Sequence, residues 1–404
     1  MRICFYSEYK NVVGGATTLI INLIKELSKR NIDVVLFNYK EGIIASELNK
    51  AEVYINIIDI GTLNFREISK HLKATDVFVI FSFLEVYHYF LKINPKLVYY
   101  NIDDFLCEVA RYKFGFSRKA NNKGLIKTLV EKNALALMDD TGLRSAEKKL
   151  QLRIDNPSFL PIPIAIPTQN YYLLNLKEIS SEIKLSYIGR SVDWKIFPLK
   201  KILDDIVLLN GMGKKIIFSI VVDDIEALLA MLNLRNYEQY DFIKINIIEK
   251  LLPSEIKRFL LQNADISFGM GTTALESAQS GIPTILVDYA STEFPKDYTY
   301  KWLYQTECFS LGKNLKDINS DYSIGITMQE LLYNISVDKD YLSLQSANNF
   351  KYIQQNHCVD KVVDKLIKIS AITSFRFKDA QKHVLYYWRF HQGLKKIFSR
   401  NGQE

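Results

Sequence analysis

ADISFGMGTTALESAQSGIPTILVD, residues 264–288, governs how this chain reads. Ala264 to Phe268 is a short apolar run of strand type, and Gly269-Met270-Gly271 is a tight turn at its end. Thr272 to Gln279 then reads as a helix stopped by Gly281, with Pro283 to Val287 as the next strand. Glycines at a strand end let backbone approach a ligand closely. The helix behind them directs free N–H groups and a partial positive charge at the same place. That pattern is an anion site, and diphosphate is its usual occupant. One turn into the helix, Glu276 is placed to accept hydrogen bonds from ribose hydroxyls. A second reading stands beside this one. Thr273 and Glu276 also have the spacing of a capping box, in which the glutamate satisfies only the helix's own amide.

The same alternation of strand and helix runs outward in both directions. Arg2 to Ser7 reads as a buried strand, Glu8 to Ala16 as a loop containing Gly14-Gly15, and Leu19, Ile20, Leu23, Ile24 and Leu27 mark a helix by their spacing. Strands follow at 32–37, 53–58, 76–81, 96–100, 134–138 and near Phe159, with helices at 66–72, 125–132 and 143–150 between them. Pro157, Pro161, Pro163 and Pro167 then place four of the nine prolines within eleven residues, a composition suited to a connection between domains. Beyond it the alternation restarts: strand 185–188, helix 198–209, strand 215–222, a helix from Ile225, strand 243–248 and helix 254–262 lead into the opening stretch. Strands alternating with helices imply parallel sheets covered on both faces. The fold class expected is therefore α/β, with two doubly wound Rossmann-like domains facing a cleft. The expected division is 1–160, a linker at 161–180, 181–350, and C-terminal helices over 351–404. Ligands of such sheets bind beyond the carboxyl ends of the strands.

Composition narrows the function classes. A chain of 404 residues, 48% hydrophobic and 24% charged, is long enough for two cores and does not have the balance of a disordered protein. Cys4, Cys107, Cys308 and Cys358 are scattered without CxxC spacing, which fits a reducing cytoplasmic compartment. The five histidines form no HxxxH or HExxH arrangement, so no metal is expected. No apolar run reaches membrane-spanning length, and Glu8 and Lys10 interrupt the region where a signal peptide would be apolar.

A second anion-binding arrangement lies at the start of the second half. Tyr187-Ile188-Gly189-Arg190 ends its first strand, and Lys195 follows five residues after Arg190. A strand-end glycine followed by two cations beside a helix start favours a phosphate ligand. Two such sites in one domain point to a nucleoside diphosphate.

GR followed by K, then GxGxxxLExxxxGxP, resembles the donor half of GT-B glycosyltransferases, with glycosyltransferase family four and its relatives the nearest match. The opening strand, the Gly14-Gly15 loop and the helix after it resemble the start of the same family, and the likeness runs from Met1 to about Ile369. The resemblance implies that Arg190 and Lys195 hold the donor diphosphate and that Gly271 and Thr272 add backbone and hydroxyl contacts. It also implies that Glu276 holds the ribose and that Gly14 and Gly15 let the first domain approach the donor phosphate or sugar. The activity it implies is hexosyl transfer from a nucleotide-sugar donor, with no essential metal or other cofactor, to a glycan or lipid-linked glycan acceptor. By family habit the setting is bacterial surface polysaccharide or lipopolysaccharide synthesis at the inner face of the plasma membrane.

One departure stands out. Retaining members carry a second glutamate eight residues before the ribose-binding one, and here that position is Phe268. An inverting reaction needs a base on the acceptor side. Glu8, after the first strand, and Asp103 or Asp104, after the strand ending at Tyr100, are the candidates. His88 reads as a helix-surface residue. The aspartate pairs at 103–104, 139–140, 204–205 and 223–224 lack DxD spacing and read as turn and helix-end residues. A sugar-nucleotide epimerase of the same architecture and a non-catalytic nucleotide-binding scaffold remain as alternative readings.

The tail has a periodicity of its own. From Arg376 to about Arg400 the sequence reads as one helix, in which Lys378, Lys382, Arg389, Lys396 and Arg400 recur at intervals of 4, 7, 7 and 4. Phe377, Val384, Tyr387, Trp388, Phe390, Leu394, Ile397 and Phe398 fall on other faces. Residues 371–404 carry seven Lys and Arg against Asp379 and Glu404, so this segment supplies most of the chain's net charge of +7. A basic stripe opposite aromatic residues is the pattern of a helix lying on an anionic membrane surface. Packing against the first domain is the alternative, and nucleic acid is not an expected partner.

Overall fold

The computed structural model describes residues 1–11, 14–83, 90, 92–102, 106, 118–166, 182–209, 213–251, 253–317, 325–380 and 383. Two units emerge, one comprising Met1–Pro163 with Val359–Glu404, the other Ile164–Cys358. The first contains strands β1 (Arg2–Tyr6), β2 (Asp33–Asn38), β3 (Asn56–Asp59), β4 (Val77–Ile80), β5 (Lys96–Asn101), β6 (Leu135–Leu137) and β7 (Ser158–Phe159). Its helices, up to the second unit, are α1 (Gly15–Lys29), α2 (Ile43–Lys50), α3 (Phe65–Ser69), α4 (Arg118–Glu131) and α5 (Asp140–Leu150). The strands pair in the order β3-β2-β1-β4-β5-β6-β7, and every pair is parallel. Strand order reverses between β1 and β4, which makes their carboxyl ends the switch point of a doubly wound sheet. The five apolar residues that mark α1 are all buried, so its periodicity translates directly into packing. Phe78 anchors the core beneath, with Phe37, Phe90 and Phe377 ring centroids 5.6–5.8 Å away.

The second unit repeats the plan with unrelated sequence. Its strands are β8 (Glu182–Ile188), β9 (Lys215–Val222), β10 (Ile243–Glu249), β11 (Ile266–Gly269), β12 (Thr284–Leu286) and β13 (Lys301–Trp302). Helices α6 (Asp193–Val207), α7 (Ile225–Met231), α8 (Arg235–Glu238), α9 (Pro253–Asn263), α10 (Thr272–Gln279), α11 (Met328–Val337) and α12 (Tyr341–Asn356) accompany them. The order is β10-β9-β8-β11-β12-β13, parallel except for β13, which closes one edge antiparallel to β12. The expected α/β class, two doubly wound parallel-sheet units, is what the chain adopts.

After α12 the chain returns to the first unit through α13 (Val359–Ile372) and α14 (Phe377–Ala380). Arg30, the C-cap of α1, binds Asp364 at 2.5 Å, and the Thr373 hydroxyl donates to Leu97 O at 2.9 Å. The residues taken from sequence as one C-terminal group therefore divide at Cys358. Ile164 N donates to His357 O at 2.7 Å, so the two segments at this division run side by side. Most of the expected linker, 167–180, lies outside the described residues.

Three local expectations shift. Val53 belongs to the stop of α2, because Glu52 turns left-handed at φ 55° and Val53 N donates back to Leu48 O at 3.0 Å, so β3 starts later. Helix α6 begins at Asp193 and carries Pro198 in its second turn, ahead of the proline rather than at it. The third concerns the tail. Phe377, expected on the apolar face of a membrane helix, is fully buried in the first unit's core, and Arg376 donates to the carbonyls of Ala74 and Asn94. Protein rather than lipid covers Phe377, and Arg376 at the expected helix start is tied to the first unit's backbone. His383 continues the packing, its ring 2.7 Å from where a side chain on Gly124 would start. Residues 384–400 lie outside the described residues.

Candidate functional site

Strands β8 and β11 are neighbours with Phe268 opposite Tyr187, so the loops after Ile188 and Gly269 leave the sheet side by side at its carboxyl edge. Adjacent strands lie about 4.8 Å apart, which brings the Gly189-Arg190 turn next to the Gly269–Gly271 turn. Gly189 is needed here for space. A Cβ on it would stand 2.7 Å from the Tyr187 ring, which passes beneath to donate its hydroxyl to Lys195 O at 2.9 Å. Tyr187, fully buried, thereby holds the first turn of α6 against the sheet. Ser191 ties the same loop to the neighbouring strand end, donating from its amide to Asp223 at 2.6 Å and from its hydroxyl to Asp224 O at 2.5 Å.

Arg190 is exposed and Lys195 half-buried, and neither forms an ion pair among the described residues. Both contact one indole instead: the Arg190 guanidinium lies 5.9 Å and the Lys195 ammonium 5.2 Å from the Trp194 ring centroid. Burial, followed by repulsion from Arg190, lowers the Lys195 ammonium to about 8, against a smaller opposing pull from Asp223. Two uncompensated cations at a strand end are a site for a negatively charged ligand.

Across from them, Gly271 caps α10 with φ +61° and ψ −138°, a conformation that favours glycine, and nothing lies within 4 Å of where its side chain would start. Its amide donates to Leu311 O at 2.8 Å. The capping-box reading of Thr273 and Glu276 is not realised. Thr273 lies inside the helix and donates its hydroxyl to Met270 O at 2.9 Å, and the cap position belongs to Gly271. The Glu276 carboxylate is half-buried without a hydrogen-bond or ion-pair partner among the described residues, and burial alone raises it to about 7. A desolvated carboxylate without a partner is costly, which is the state expected of a group that meets its partner in a ligand. Thr272 stands at the first position of α10, half-exposed.

Phe268, at the position of the missing glutamate, is fully buried and packs edge-to-face on Tyr300 with centroids 5.6 Å apart. It is a core residue of β11. The remaining candidates belong to the first unit. Glu8 is exposed after β1 and accepts a hydrogen bond from the buried Tyr6 hydroxyl at 2.9 Å. The loop carrying it is held by Asn38, whose amide donates to Ser7 O at 2.7 Å and Tyr9 O at 3.1 Å. Gly14 caps α1 and Gly15 begins it; Gly14 N donates to the Thr17 hydroxyl at 3.0 Å, and nothing among the described residues lies within 4 Å of where a Gly14 side chain would start. Asp103 lies outside the described residues. Among the aspartate pairs, Asp139 caps α5 and Asp224 caps α7, whereas Asp204 and Asp205 sit within α6 and accept from the hydroxyls of Tyr237 and Tyr300, each at 2.7 Å.

Sequence reading alone overlooked Trp194, and with it Tyr289, whose ring meets the indole edge-on at 5.4 Å. It also overlooked the segment at 311–313, which reaches the Gly271 turn from later in the chain. Gly312, at φ +113°, lets this segment press against β12, since a Cβ there would fall 2.8 Å from Val287 O. The signal for Trp194 lay in its position between the two cations; nothing local announced the others.

No known family profile matches the sequence. No curated protein matches it either. Solved structures do. A glycosyltransferase from Rickettsia africae ESF-5 superposes with a TM-score of 0.60 at 11% identity, over 91% of this chain and 97% of that one. The E. coli trehalose-6-phosphate structure bound with UDP-2-fluoro glucose gives 0.55 at 12% identity, over 92% and 100%. An alpha-glucosyltransferase in complex with UDP and a 13-mer DNA gives 0.54 at 14% identity, over 92% and 100%. At these identities the likeness is one of fold, and the fold is that of GT-B glycosyltransferases.

Proposed function

We propose that this protein is a glycosyltransferase whose second unit binds a nucleotide-sugar donor. The observation that carries the reading is Glu276, a half-buried carboxylate without a partner among the described residues, one turn inside the helix that Gly271 opens. In this reading the ribose hydroxyls donate to Glu276, and the diphosphate lies between the α10 N-terminus and the Arg190 and Lys195 cations. Thr272 adds its hydroxyl, and Gly14 and Gly15 admit the donor on the side of the first unit. UDP and UDP-2-fluoro glucose in the structural neighbours are consistent with a donor of this class.

The reaction proposed is an inverting displacement. The acceptor hydroxyl oxygen attacks the anomeric carbon, and the bond from that carbon to the phosphate oxygen breaks. The nucleoside diphosphate departs with the electron pair, and the acceptor proton passes to a carboxylate, Glu8 or Asp103. Arg190, Lys195 and the α10 N-terminus stabilise the charge that develops on the leaving diphosphate. Phe268 supports inversion, because an apolar core residue stands where retaining enzymes carry their glutamate.

The finer reading places the enzyme near family four, transferring to a glycan or lipid-linked glycan in bacterial surface polysaccharide synthesis. Among the described residues no helix is long and apolar enough to cross a membrane. Peripheral attachment at the cytoplasmic face of the plasma membrane would rest on the basic residues from Lys378 to Arg400. Flotation with vesicles of increasing anionic lipid content, comparing the full chain with one truncated after Ala380, tests that attachment. Equal flotation of the two chains removes it.

The function itself is tested by a thermal-shift screen against UDP, GDP, ADP, CMP and dTDP, then by nucleotide release from the matching sugar donors. Saturation at a hundred times Kd stabilises a protein by about 2.7 kcal/mol, so the matching nucleotide stands clear of the others. Release that depends on added acceptor glycan identifies a transferase. Conversion of the donor without acceptor identifies an epimerase, and binding without turnover a scaffold.

A further inference from the structure

We infer that Trp194 is a positioning residue of the donor site, holding Arg190 and Lys195 together on one indole so that a diphosphate meets both cations unneutralised; this rests on the donor-site reading above. The cations stand five residues apart, Arg190 in the loop before α6 and Lys195 in its first turn, and like charges so close repel one another. Proteins usually quiet such a pair with a carboxylate. Here no carboxylate forms an ion pair with either cation among the described residues, and Asp223 exerts only a smaller pull on Lys195. Asp223 accepts from Ser191 N at 2.6 Å, and Asp193 accepts from Trp194 N at 2.7 Å. The indole takes the carboxylate's place, because its π-face attracts a cation without cancelling its charge. Arg190 and Lys195 lie 5.9 and 5.2 Å from the ring centroid, within the range of such contacts.

The indole is in turn held on two sides. Tyr289 meets it edge-on at 5.4 Å, and Tyr289 is fixed by backbone pairing, its amide donating to Lys313 O and its carbonyl accepting from Leu315 N. From below, Tyr187 fixes Lys195 through its carbonyl at 2.9 Å. The segment after β12 thus meets the ring itself, and β8 holds the helix turn that carries it. A surface lysine and arginine lose rotamer freedom when they close on a ligand. Trp194 restricts that freedom beforehand, which is preorganisation of an anion site without loss of its charge.

Inorganic pyrophosphate is the probe, since it engages the cations and not Glu276. Trp194→Leu is expected to weaken pyrophosphate and nucleoside diphosphate binding about tenfold, with Trp194→Phe recovering most of the loss. In a Lys195→Met background, Trp194→Leu is expected to cost little more, because the residue acts through the cation. A second readout needs no ligand. Of the three tryptophan indole N–H signals in a 1H–15N spectrum, the one lost in Trp194→Phe is expected to move in Arg190→Met and in Lys195→Met. If that signal stays in place in both variants, the contact does not exist and the inference falls. Wild-type affinity in Trp194→Leu, or fully additive losses, also overturns it. Should the signal move while wild-type protein binds neither pyrophosphate nor any nucleoside diphosphate, the donor-site reading fails and takes the positioning role with it, leaving a purely structural contact.

Discussion

Replacing Glu276 by glutamine should make the protein more stable and worse at binding nucleotide, and the first effect should depend on pH. Burial holds the carboxyl protonated up to about 7, while the unfolded chain releases that proton near 4.5. Between those values the native state binds a proton that the unfolded state does not, so stability falls as pH rises from 4.5 toward 7 and stays lower above it. At 1.36 kcal/mol per pH unit the full gap corresponds to about 3.4 kcal/mol. Glu276 is half-buried, so water screens part of this, and about 1–2 kcal/mol is the working expectation. Glutamine carries no such penalty. For a unit of this size, that difference raises Tm by about 2–8 °C at pH 8.

Scanning calorimetry of wild type and Glu276→Gln at pH 5, 6, 7 and 8, without nucleotide, measures the effect as a gap that opens with pH. The same variant loses charge-assisted hydrogen bonds to the ribose, worth about 1.5–3 kcal/mol, so nucleoside diphosphate affinity should drop by roughly 10- to 150-fold. A gap that does not change with pH, or a glutamine variant less stable at every pH, would refute the reasoning. Either result would mean that the carboxylate already has a partner in the protein and is a structural group.

Nucleotide affinity itself should follow a bell-shaped pH profile. Acceptance from ribose needs Glu276 ionised, so affinity rises through about 7, and the diphosphate needs Lys195 protonated, so affinity falls above about 8; isothermal titration from pH 5.5 to 9.5 measures both limbs, and a flat profile counts against both roles. Phe268→Glu should collapse the second unit rather than create a retaining enzyme, because emptying a buried phenylalanine site costs about 3–5 kcal/mol even before a charge is buried. Denaturant unfolding measures this, and a stable variant whose product keeps the donor's anomeric configuration would show that position 268 can reach the chemistry. Glu8→Gln should lower turnover by about 10²–10⁴-fold with donor affinity unchanged, and an unaltered kcat would leave the base to Asp103.

The parts of this structure that were legible in sequence are those written in local pattern. Helix α10 spans Thr272–Gln279 as its glycine punctuation implies, and the spacing from Leu19 to Leu27 gives the buried face of α1. Buried parallel strands read as short continuous apolar runs, so the parallel strands of both sheets were visible, whereas the two-residue antiparallel edge strand β13 was not. What was not legible depends on distant chain. Thr273 and Glu276 have capping-box spacing, yet Gly271 takes the cap position because its open conformation starts the helix earlier. The segment at 311–313 meets the Gly271 turn some forty residues downstream, as the Gly271–Leu311 hydrogen bond shows. Phe377 illustrates a different limit. Helical spacing identifies an apolar side chain and cannot say whether lipid or protein covers it; here Phe78 and Phe90 do.

Glu276 and Lys195 are displaced in opposite directions by the same cause, and that symmetry says something about how the site is built. Burial favours the neutral form of each, raising the acid to about 7 and lowering the base to about 8. The two do not neutralise one another, for no ion pair joins them. Between those two values both groups carry charge, the carboxylate above its pKa and the ammonium below its own. A ligand that donates hydroxyls to one and phosphate oxygens to the other need add only the last fraction of ionisation to each. Stronger burial would make the site neutral and unreceptive in that range, and weaker burial would leave both groups solvated and unselective. Trp194 and Tyr187 on one side and the Gly271 turn on the other set that depth, so the aromatic residues around the cations belong to the chemistry of the site as much as the charges do.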